Sequence, residues 1–239
     1  IILSMPLRDL ADAWDQYCAW RIAKAKMLRL LSFPSQRRGT GGHGEPAGFT
    51  VTSKPPSRAM RMVFPAGKTI VLRGTDQNLE KMARTIVGLD KPEDLEVIFG
   101  GGATPRITYV GPRPTILRGS LRRNLTLGAR KRPSDTRILE IASAFGLDPA
   151  IDRLGGLSGR VAEKALNLTQ GEWIRVELAR AVLTKAALVV IDCPCPEAAA
   201  PGLIDRLRSD LSATIVLAMP NAPGLKDAIR LELAPEPVG

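Results

Sequence analysis

Few side chains in this 239-residue chain could carry redox or metal chemistry. There are three cysteines, Cys18, Cys193 and Cys195, and a single histidine, His43. An odd number of cysteines with no paired CxxC motifs argues against a disulfide framework and against a structural zinc site. The cysteine usage indicates a reducing compartment. Because Pro194 separates them, Cys193 and Cys195 are predicted to be buried packing residues rather than a redox pair.

Basic residues are concentrated at the start of the chain. The formal net charge is +10, and residues 1–65 carry ten Lys and Arg against four Asp and Glu, whereas residues 66–239 carry twenty-four against twenty. A basic segment of this kind is typical of contact with nucleic acid, of contact with an anionic membrane surface, or of a solvated helix face. The basic and aromatic residues do not alternate as they do in binders of single-stranded nucleic acid.

The composition is that of a globular chain with a buried core, since 44% of the residues are hydrophobic and 24% are charged. No run of about eighteen apolar residues occurs, so the sequence predicts no membrane span of its own. The chain starts at Ile1 without Met and lacks the order of a signal peptide. We interpret it as a piece of a longer protein.

Three segments differ in pattern. Residues 1–34 have helical spacing of apolar positions, with acidic residues first and basic residues last, and Pro34 ends this predicted long helix. Residues 35–48 are rich in glycine, have no period and are predicted to be a flexible linker. Residues 49–239 are predicted to be a separate domain.

Short runs of Val, Ile and Leu alternate with helical patterns from residue 49 onward. The predicted strands are 49–53, 69–73, 95–99, 107–110, 188–191, 214–217 and 229–233. The predicted helices cover about 79–88, 120–127, 134–145, 171–183 and 203–211. Apolar strands separated by helices are typical of a parallel sheet covered on both faces. The predicted fold class is therefore α/β.

Four stretches, in this order, resemble the nucleotide-binding domain of an exporter-type ATP-binding-cassette (ABC) transporter. Residues 66–74 (AGKTIVLRG) are similar to the strand before the phosphate loop, and residues 107–128 (ITYVGPRPTILRGSLRRNLTLG) to the pattern IGYVPQ..LF.GTI.ENI..G. Residues 168–182 (LTQGEWIRVELARAV) are similar to the signature region LSGGQRQR..LARA, and residues 186–194 (AALVVIDCP) to the Walker B strand. The resemblance implies a P-loop NTPase-like cassette with a parallel-sheet core, an antiparallel β part and a helical subdomain. The long helix before it resembles the cytoplasmic end of a membrane-domain helix.

The resemblance also implies roles for individual positions. Asp192 falls at the position of the metal-binding aspartate. The positions of the phosphate-binding lysine, the glutamine, the general-base glutamate and the histidine are occupied by Glu80, Pro112, Cys193 and Pro220. The nucleotide-binding positions are Gly74, Thr75, Asp76, Gln77, Asn78 and Lys81, and the signature positions are Leu168, Thr169, Gln170, Gly171 and Glu172.

These substitutions remove groups that ATP hydrolysis needs. The motif GxxxxGK[S/T] curls backbone N–H groups round the phosphates and adds a lysine, whereas this chain has GTDQNLEK with a carboxylate at the lysine position. Cys193 cannot replace a glutamate as general base near neutral pH, and Pro112 has neither an amide side chain nor an N–H. Glu172 brings a negative charge to the start of the signature helix. We expect no competent catalytic residue, and ATP and Mg²⁺ are expected to bind weakly or not at all.

The leading hypothesis is a degenerate nucleotide-binding domain of an ABC exporter-like transporter that scaffolds or regulates transport with little or no ATP hydrolysis. The expected partners are a transmembrane domain and another ABC cassette, in a homodimer or a heterodimer. The expected location is the cytoplasmic face of the inner or plasma membrane. Nucleic acid is not an expected partner.

Two alternatives belong to other classes of function. One is a divergent but active ABC ATPase that uses Lys81 and Asp192 in an altered geometry and powers export. The other is a module that binds nucleic acid or anionic lipid through a basic surface. The residues of that surface would be Arg37, Arg38, Arg122, Arg123, Arg130, Lys131 and Arg132.

Overall fold

The computed structural model describes residues 46–55, 59–101, 104–193, 201–220 and 225–233, together with five residues near the start of the chain. The chain divides into two compact units, residues 1–37 and residues 38–239. In the first unit the described residues are helical, and the rings of Trp14, Tyr17 and Trp20 follow one another with centroid separations of 5.9 and 6.1 Å. The Lys24 ammonium lies 4.8 Å from the centroid of the Trp20 ring. The remainder of the predicted helix over residues 1–34, and the predicted linker up to residue 45, lie outside the described residues.

The described part of the second unit alternates between strands and helices. The strands are β1 (Phe49–Ser53), β2 (Arg61–Phe64), β3 (Thr69–Arg73), β4 (Leu95–Phe99), β5 (Ile107–Val110), β6 (Gly119–Ser120), β7 (Arg160–Val161), β8 (Leu188–Ile191), β9 (Thr214–Leu217) and β10 (Ile229–Glu232). The helices are α1 (Asp76–Val87), α2 (Leu121–Leu125), α3 (Asp135–Ala144), α4 (Asp148–Leu154), α5 (Gln170–Leu183) and α6 (Pro201–Asp210). Among the described residues, none of these helices is long and apolar enough to cross a bilayer.

Five strands form a parallel sheet at the centre of this unit. Their order is β10-β3-β9-β8-β5, and every neighbouring pair is parallel. All four residues of β8 and all four of β9 are buried, as strands covered on both faces require. The predicted α/β class and the predicted parallel sheet are confirmed.

A second, antiparallel sheet has the order β2-β1-β4. Phe49 of β1 and Phe64 of β2 are cross-strand partners whose rings stack with centroids 4.3 Å apart. β2 is absent from the predicted strands, although its four residues alternate between exposed and buried positions and bury Met62 and Phe64. The antiparallel part implied by the resemblance is present.

Two apolar layers cover the two faces of the parallel sheet. Alternate strand residues such as Val189 and Ile191 join a core with the helical region, which includes Phe145 and Ile174. The intervening strand residues, which include Ile70, Leu72, Leu188, Val190 and Val216, join a core with the antiparallel sheet and with α1. The residues that α1 contributes to this core include Leu79, Met82 and Ile86. The period of two along each strand thus divides the core into two layers.

The start of α1 corrects the sequence analysis. The predicted helix began at about residue 79 and left residues 74–78 outside it, but α1 begins at Asp76. Thr75 is the N-cap, and its hydroxyl accepts a hydrogen bond from the Asn78 N–H at 3.4 Å. A capping threonine followed by an aspartate in the first turn is a strong helix start, and no second glycine competes with it.

Candidate functional site

The carboxyl ends of the parallel strands place the predicted site residues along one edge of the sheet. β3 leads through Gly74 to α1, β5 leads to Gly111, and β8 leads to Asp192. The Asp192 N–H donates to the Val110 carbonyl oxygen at 2.8 Å, so the ends of β5 and β8 stay in register. This edge is where an α/β sheet normally binds a ligand.

The connection from β3 to α1 is only two residues long. Only Gly74 and the capping Thr75 lie between the last strand residue, Arg73, and the first helical residue, Asp76. Gly74 packs tightly, since a Cβ there would lie 3.1 Å from Leu233 Cβ. Gln77, Asn78 and Lys81 are therefore residues of a helix, and the Leu79 N–H already donates to the Thr75 carbonyl at 2.9 Å. Backbone groups that are held in helical bonds cannot curl round a phosphate chain.

The side chains at positions 79–81 also differ from those of a phosphate site. Leu79, at the position of the second glycine, is only 1% exposed and belongs to the core beside the antiparallel sheet. Glu80, at the lysine position, and Lys81 are both exposed. Glu80, at the position that the resemblance assigns to the phosphate-binding lysine, therefore presents a carboxylate at the surface.

Asp192 is covered by an aromatic side chain from the neighbouring strand. The Tyr109 hydroxyl donates to Asp192 Oδ2 at 2.8 Å. The Tyr109 ring lies directly over Gly111, where a Cβ would come within 2.6 Å of a ring carbon. Asp192 itself is 7% exposed. One oxygen of the predicted metal-binding carboxylate is thus already engaged by the protein.

The electrostatics of this edge are acidic. Burial raises the pKa of Asp192 to about 6, the Tyr109 hydrogen bond opposes this rise, and the negative charge of Glu80 adds to it. Burial also raises the pKa of Tyr109 above its ordinary value, so its hydroxyl stays protonated and donates. Arg84 is the nearby cation, but its guanidinium makes two hydrogen bonds to Asp90, at 2.7 and 2.9 Å. The pair lowers the pKa of Asp90.

These residues do not fit a Mg²⁺–nucleotide complex. Within the described residues, no group of three or more His, Cys, Asp and Glu side chains could hold a metal ion. Mg²⁺ in nucleotide sites is usually held by one or two carboxylates together with substrate phosphates, and the phosphates here would face Glu80. A cavity of about 590 Å³ lies beside the antiparallel sheet instead, and none of the described residues that line it is charged.

The other positions implied by the resemblance are also placed. Pro112 follows β5 and is exposed, Cys193 is fully buried, and Pro220 lies in an exposed turn after β9. The predicted packing role of Cys193 agrees with its membership of the core cluster. Cys195 and His43 lie outside the described residues.

The signature positions form a tightly capped helix start. Leu168 is buried, Thr169 is the N-cap of α5, and Gln170 and Gly171 are the first two helical residues. The Thr169 hydroxyl accepts from the Glu172 N–H at 3.3 Å, and the Glu172 carboxylate accepts from the Thr169 N–H at 2.8 Å. This reciprocal pair is a capping box.

The sequence predicts that Glu172 brings a negative charge to the start of α5. In the structure this charge is paired within the chain and is not open to a partner. Arg153 donates to both of its oxygens, at 2.8 and 2.7 Å. These bonds, together with those from Thr169, lower the pKa of Glu172 to about 2, although partial burial opposes the shift. The Glu172 carboxylate is therefore hydrogen-bonded within the chain, and it is not available to repel or bind a partner.

Replacing Glu172 with alanine is expected to lower the free energy of unfolding by about 1 kcal/mol, because it removes the capping box. Urea denaturation near neutral pH measures this. Since the folded pKa lies below the unfolded one, this stabilisation is present above pH 4.5 and is lost as the pH falls through about 2. The matched control is Glu140→Ala on α3, an exposed partner of Arg137, which is expected to change stability by only a few tenths of a kcal/mol. Equal effects of the two substitutions would contradict the prediction.

Two features were missed by the sequence analysis. The hydrogen bond between Tyr109 and Asp192 joins residues 83 positions apart, and only the parallel register of β5 and β8 brings them together. Glu177 and Arg180 of α5 are a buried polar pair that contacts Thr115 after β5. In the sequence, Glu177 is a charged residue on the apolar side of a predicted helix, and this position could have indicated that it is buried.

Comparison with known proteins agrees with this geometry. The chain is similar to a bacterial Atm1-family ABC exporter solved with ATP bound, with a TM-score of 0.65 and 17% identity over 89% of this chain and 42% of that one. The chain has the fold of an ABC exporter ATP-binding domain. No family model matches the sequence.

Curated relatives carry ABC transporter names. An uncharacterized ABC transporter ATP-binding protein of Sinorhizobium fredii is 28% identical over 144 residues, which are 56% of this chain and 24% of that protein. The beta-(1→2)glucan export ATP-binding/permease protein of Agrobacterium fabrum is 26% identical over 168 residues, which are 63% of this chain and 28% of that protein. The matched part of this chain thus spans less than a third of the length of these relatives.

Proposed function

We propose that this chain is a degenerate nucleotide-binding domain of an ABC exporter-like transporter, which scaffolds or regulates transport with little or no ATP hydrolysis. The observation that carries the proposal is the start of α1 at Asp76, two residues after the end of β3. A cassette whose phosphate-loop residues are helical keeps the fold but has no cradle for a triphosphate.

The charges at the sheet edge support the same function. Glu80 is at the position that the resemblance assigns to the phosphate-binding lysine, and two like charges about 4 Å apart repel by about 4 kcal/mol at an intermediate dielectric, before screening by solvent. Cys193 is buried at the general-base position and Pro112 is at the glutamine position. Losing a general base alone slows turnover by about a hundredfold to ten-thousandfold.

The proposed partners follow from the relatives. The glucan export protein of Agrobacterium fabrum is named as an ATP-binding and permease protein, so its cassette accompanies a membrane domain. We propose that this cassette likewise works with a transmembrane domain and with a second cassette, at the cytoplasmic face of the inner or plasma membrane.

A titration of the whole chain with a fluorescent ATP analogue and Mg²⁺ tests the proposal. No saturation is expected up to about 1 mM, which corresponds to a binding free energy weaker than about 4 kcal/mol. A phosphate-release assay on the same protein is expected to stay at background. The control is Tyr109→Phe, which removes the hydrogen bond to Asp192 Oδ2 but leaves residues 74–81 unchanged, and it is also expected to bind no nucleotide.

The titration also distinguishes the proposed function from the alternative of a divergent active ATPase. Saturable binding well below about 1 mM that weakens in Asp192→Asn, together with phosphate release that the same substitution abolishes, would reject the proposal. Loss of phosphate release is needed for that conclusion, because weak binding alone does not make an ATPase.

A further inference from the structure

A fully buried carboxyl lies under the segment that follows β5. Glu177 of α5 is 0% exposed, and its Oε1 accepts two hydrogen bonds from Thr115, one from the backbone N–H at 2.6 Å and one from the hydroxyl at 2.7 Å. Its Oε2 is buried and has no hydrogen-bond partner among the described residues. Buried carboxyls are rare unless they are paired, so this one requires a physical explanation.

Arg180 holds the same threonine from the next turn of α5. The guanidinium Nη1 lies 3.3 Å from both the carbonyl oxygen and the hydroxyl oxygen of Thr115, and Nε donates to the Asn124 carbonyl at 2.7 Å. Arg180 is 8% exposed. Three polar groups of Thr115 are thus bonded to two buried charged residues on one helix.

The cover over Glu177 is thin. Thr115 is exposed, while the next residue, Ile116, is buried and anchors the segment in the helical core. The Leu117 N–H donates to Asn124 Oδ1 at 2.8 Å, so the segment also rests on α2. A local movement of Thr115 away from α5 would therefore expose the Glu177 carboxyl to water without unfolding the core.

We propose that Glu177 is a proton-controlled latch, which fastens the segment 111–118 to α5 through Thr115 and opens more readily when the carboxyl loses its proton. The segment contains Pro112, at the position of the family's glutamine, and α5 begins with the signature positions. The latch therefore joins these two regions of the cassette. This inference uses no nucleotide and does not depend on the proposed function.

The direction follows from proton linkage. Burial raises the pKa of Glu177 from 4.5 to about 7, against the hydrogen bonds from Thr115 and the positive charge of Arg180. Arg180 is the charged group that acts on this carboxyl among the described elements packed around it. Because the closed latch binds the proton more tightly than the open one, protonation favours closure. Closure weakens as the pH rises from 4.5 through about 7.

Hydrogen exchange of the Thr115 amide in the whole chain tests the latch, because this amide donates directly to Glu177. After correction for the intrinsic pH dependence of exchange, its protection is expected to fall about tenfold between about pH 6 and about pH 8. In Glu177→Gln, which keeps the acceptor oxygen but cannot lose a proton, the protection is expected to be independent of pH. The Ile138 amide, which donates to the Ser134 carbonyl at 3.0 Å in α3, is the internal control.

Each outcome decides the inference. Equal protection at both pH values in the wild-type chain would overturn it, and so would a pH dependence that persists in Glu177→Gln or that the Ile138 amide shares. If Glu177→Gln does not fold, Thr115→Val replaces it. That variant removes one of the two bonds to Glu177 and is expected to lower amide protection several-fold at every pH, and unchanged protection would reject the latch.

Discussion

Replacing Arg180 with alanine is expected to lower the free energy of unfolding by about 3–5 kcal/mol near pH 8. The substitution removes the 2.7 Å bond to the Asn124 carbonyl and leaves Glu177 ionised in the core without a nearby cation. A buried charge that loses its partner is among the most destabilising changes known in proteins.

The destabilisation caused by Arg180→Ala is expected to depend on pH, which provides a second test. Near pH 5 Glu177 is protonated in the folded state, because its pKa is raised to about 7, and the loss of Arg180 then leaves no unpaired carboxylate. The destabilisation is therefore expected to be smaller near pH 5 than near pH 8, as measured by urea denaturation at both values. Arg206→Ala, which removes an exposed partner of Asp210, is the matched control and is expected to change stability by less than about 1 kcal/mol. A similar loss in both variants would contradict the prediction.

Replacing Phe145 with alanine is expected to lower the free energy of unfolding by about 3–5 kcal/mol as well, at any pH near neutrality. Phe145 is 1% exposed, follows the last residue of α3, and belongs to the core between the helices and the parallel sheet. Removing a buried aromatic ring loses its transfer free energy and leaves a cavity that the close-packed core cannot fill.

Thermal denaturation measures the Phe145 effect directly, and a decrease in Tm of about 10 °C is expected for a domain of this size. Leu139→Ala on α3 is the control, since Leu139 is 42% exposed and its loss leaves no cavity. If the two variants melted at the same temperature, the helical layer would not be packed as the structure places it.

Strand positions were predictable because their physical signal is local. Runs such as LVVI at β8 and TIVL at β9 are entirely apolar and β-branched, and only a strand covered on both faces buries such a run. β2 was missed because RMVF buries only two of its four residues, a pattern too short to stand out from its neighbours. The short helix α4 has a proline directly after its first residue, Asp148. It was also missed because its pattern is too short to stand out.

The error at α1 has a different origin. The predicted start at about residue 79 left residues 74–78 outside the helix, although Thr75 and Asp76 are good helix-starting residues. The capping residues determine where the helix starts, because no second glycine is present to support the curled backbone that the phosphate-loop pattern requires. The residue types in this stretch were sufficient to predict that the set of phosphate-binding residues is incomplete.

The linear order of residues was enough to establish the α/β class and the resemblance to an ABC exporter cassette, because these depend on patterns within about ten or twenty neighbouring residues. The loss of the usual catalytic side chains at their family positions stays a prediction from the same patterns. Only the folded chain decided which distant groups meet. Tyr109 covers Asp192, Arg153 neutralises Glu172, and Thr115 lies over Glu177, because strand register and helix packing bring together residues that are 83, 19 and 62 positions apart. Those contacts depend on the packing of several elements at once, and no short stretch of sequence contains that information.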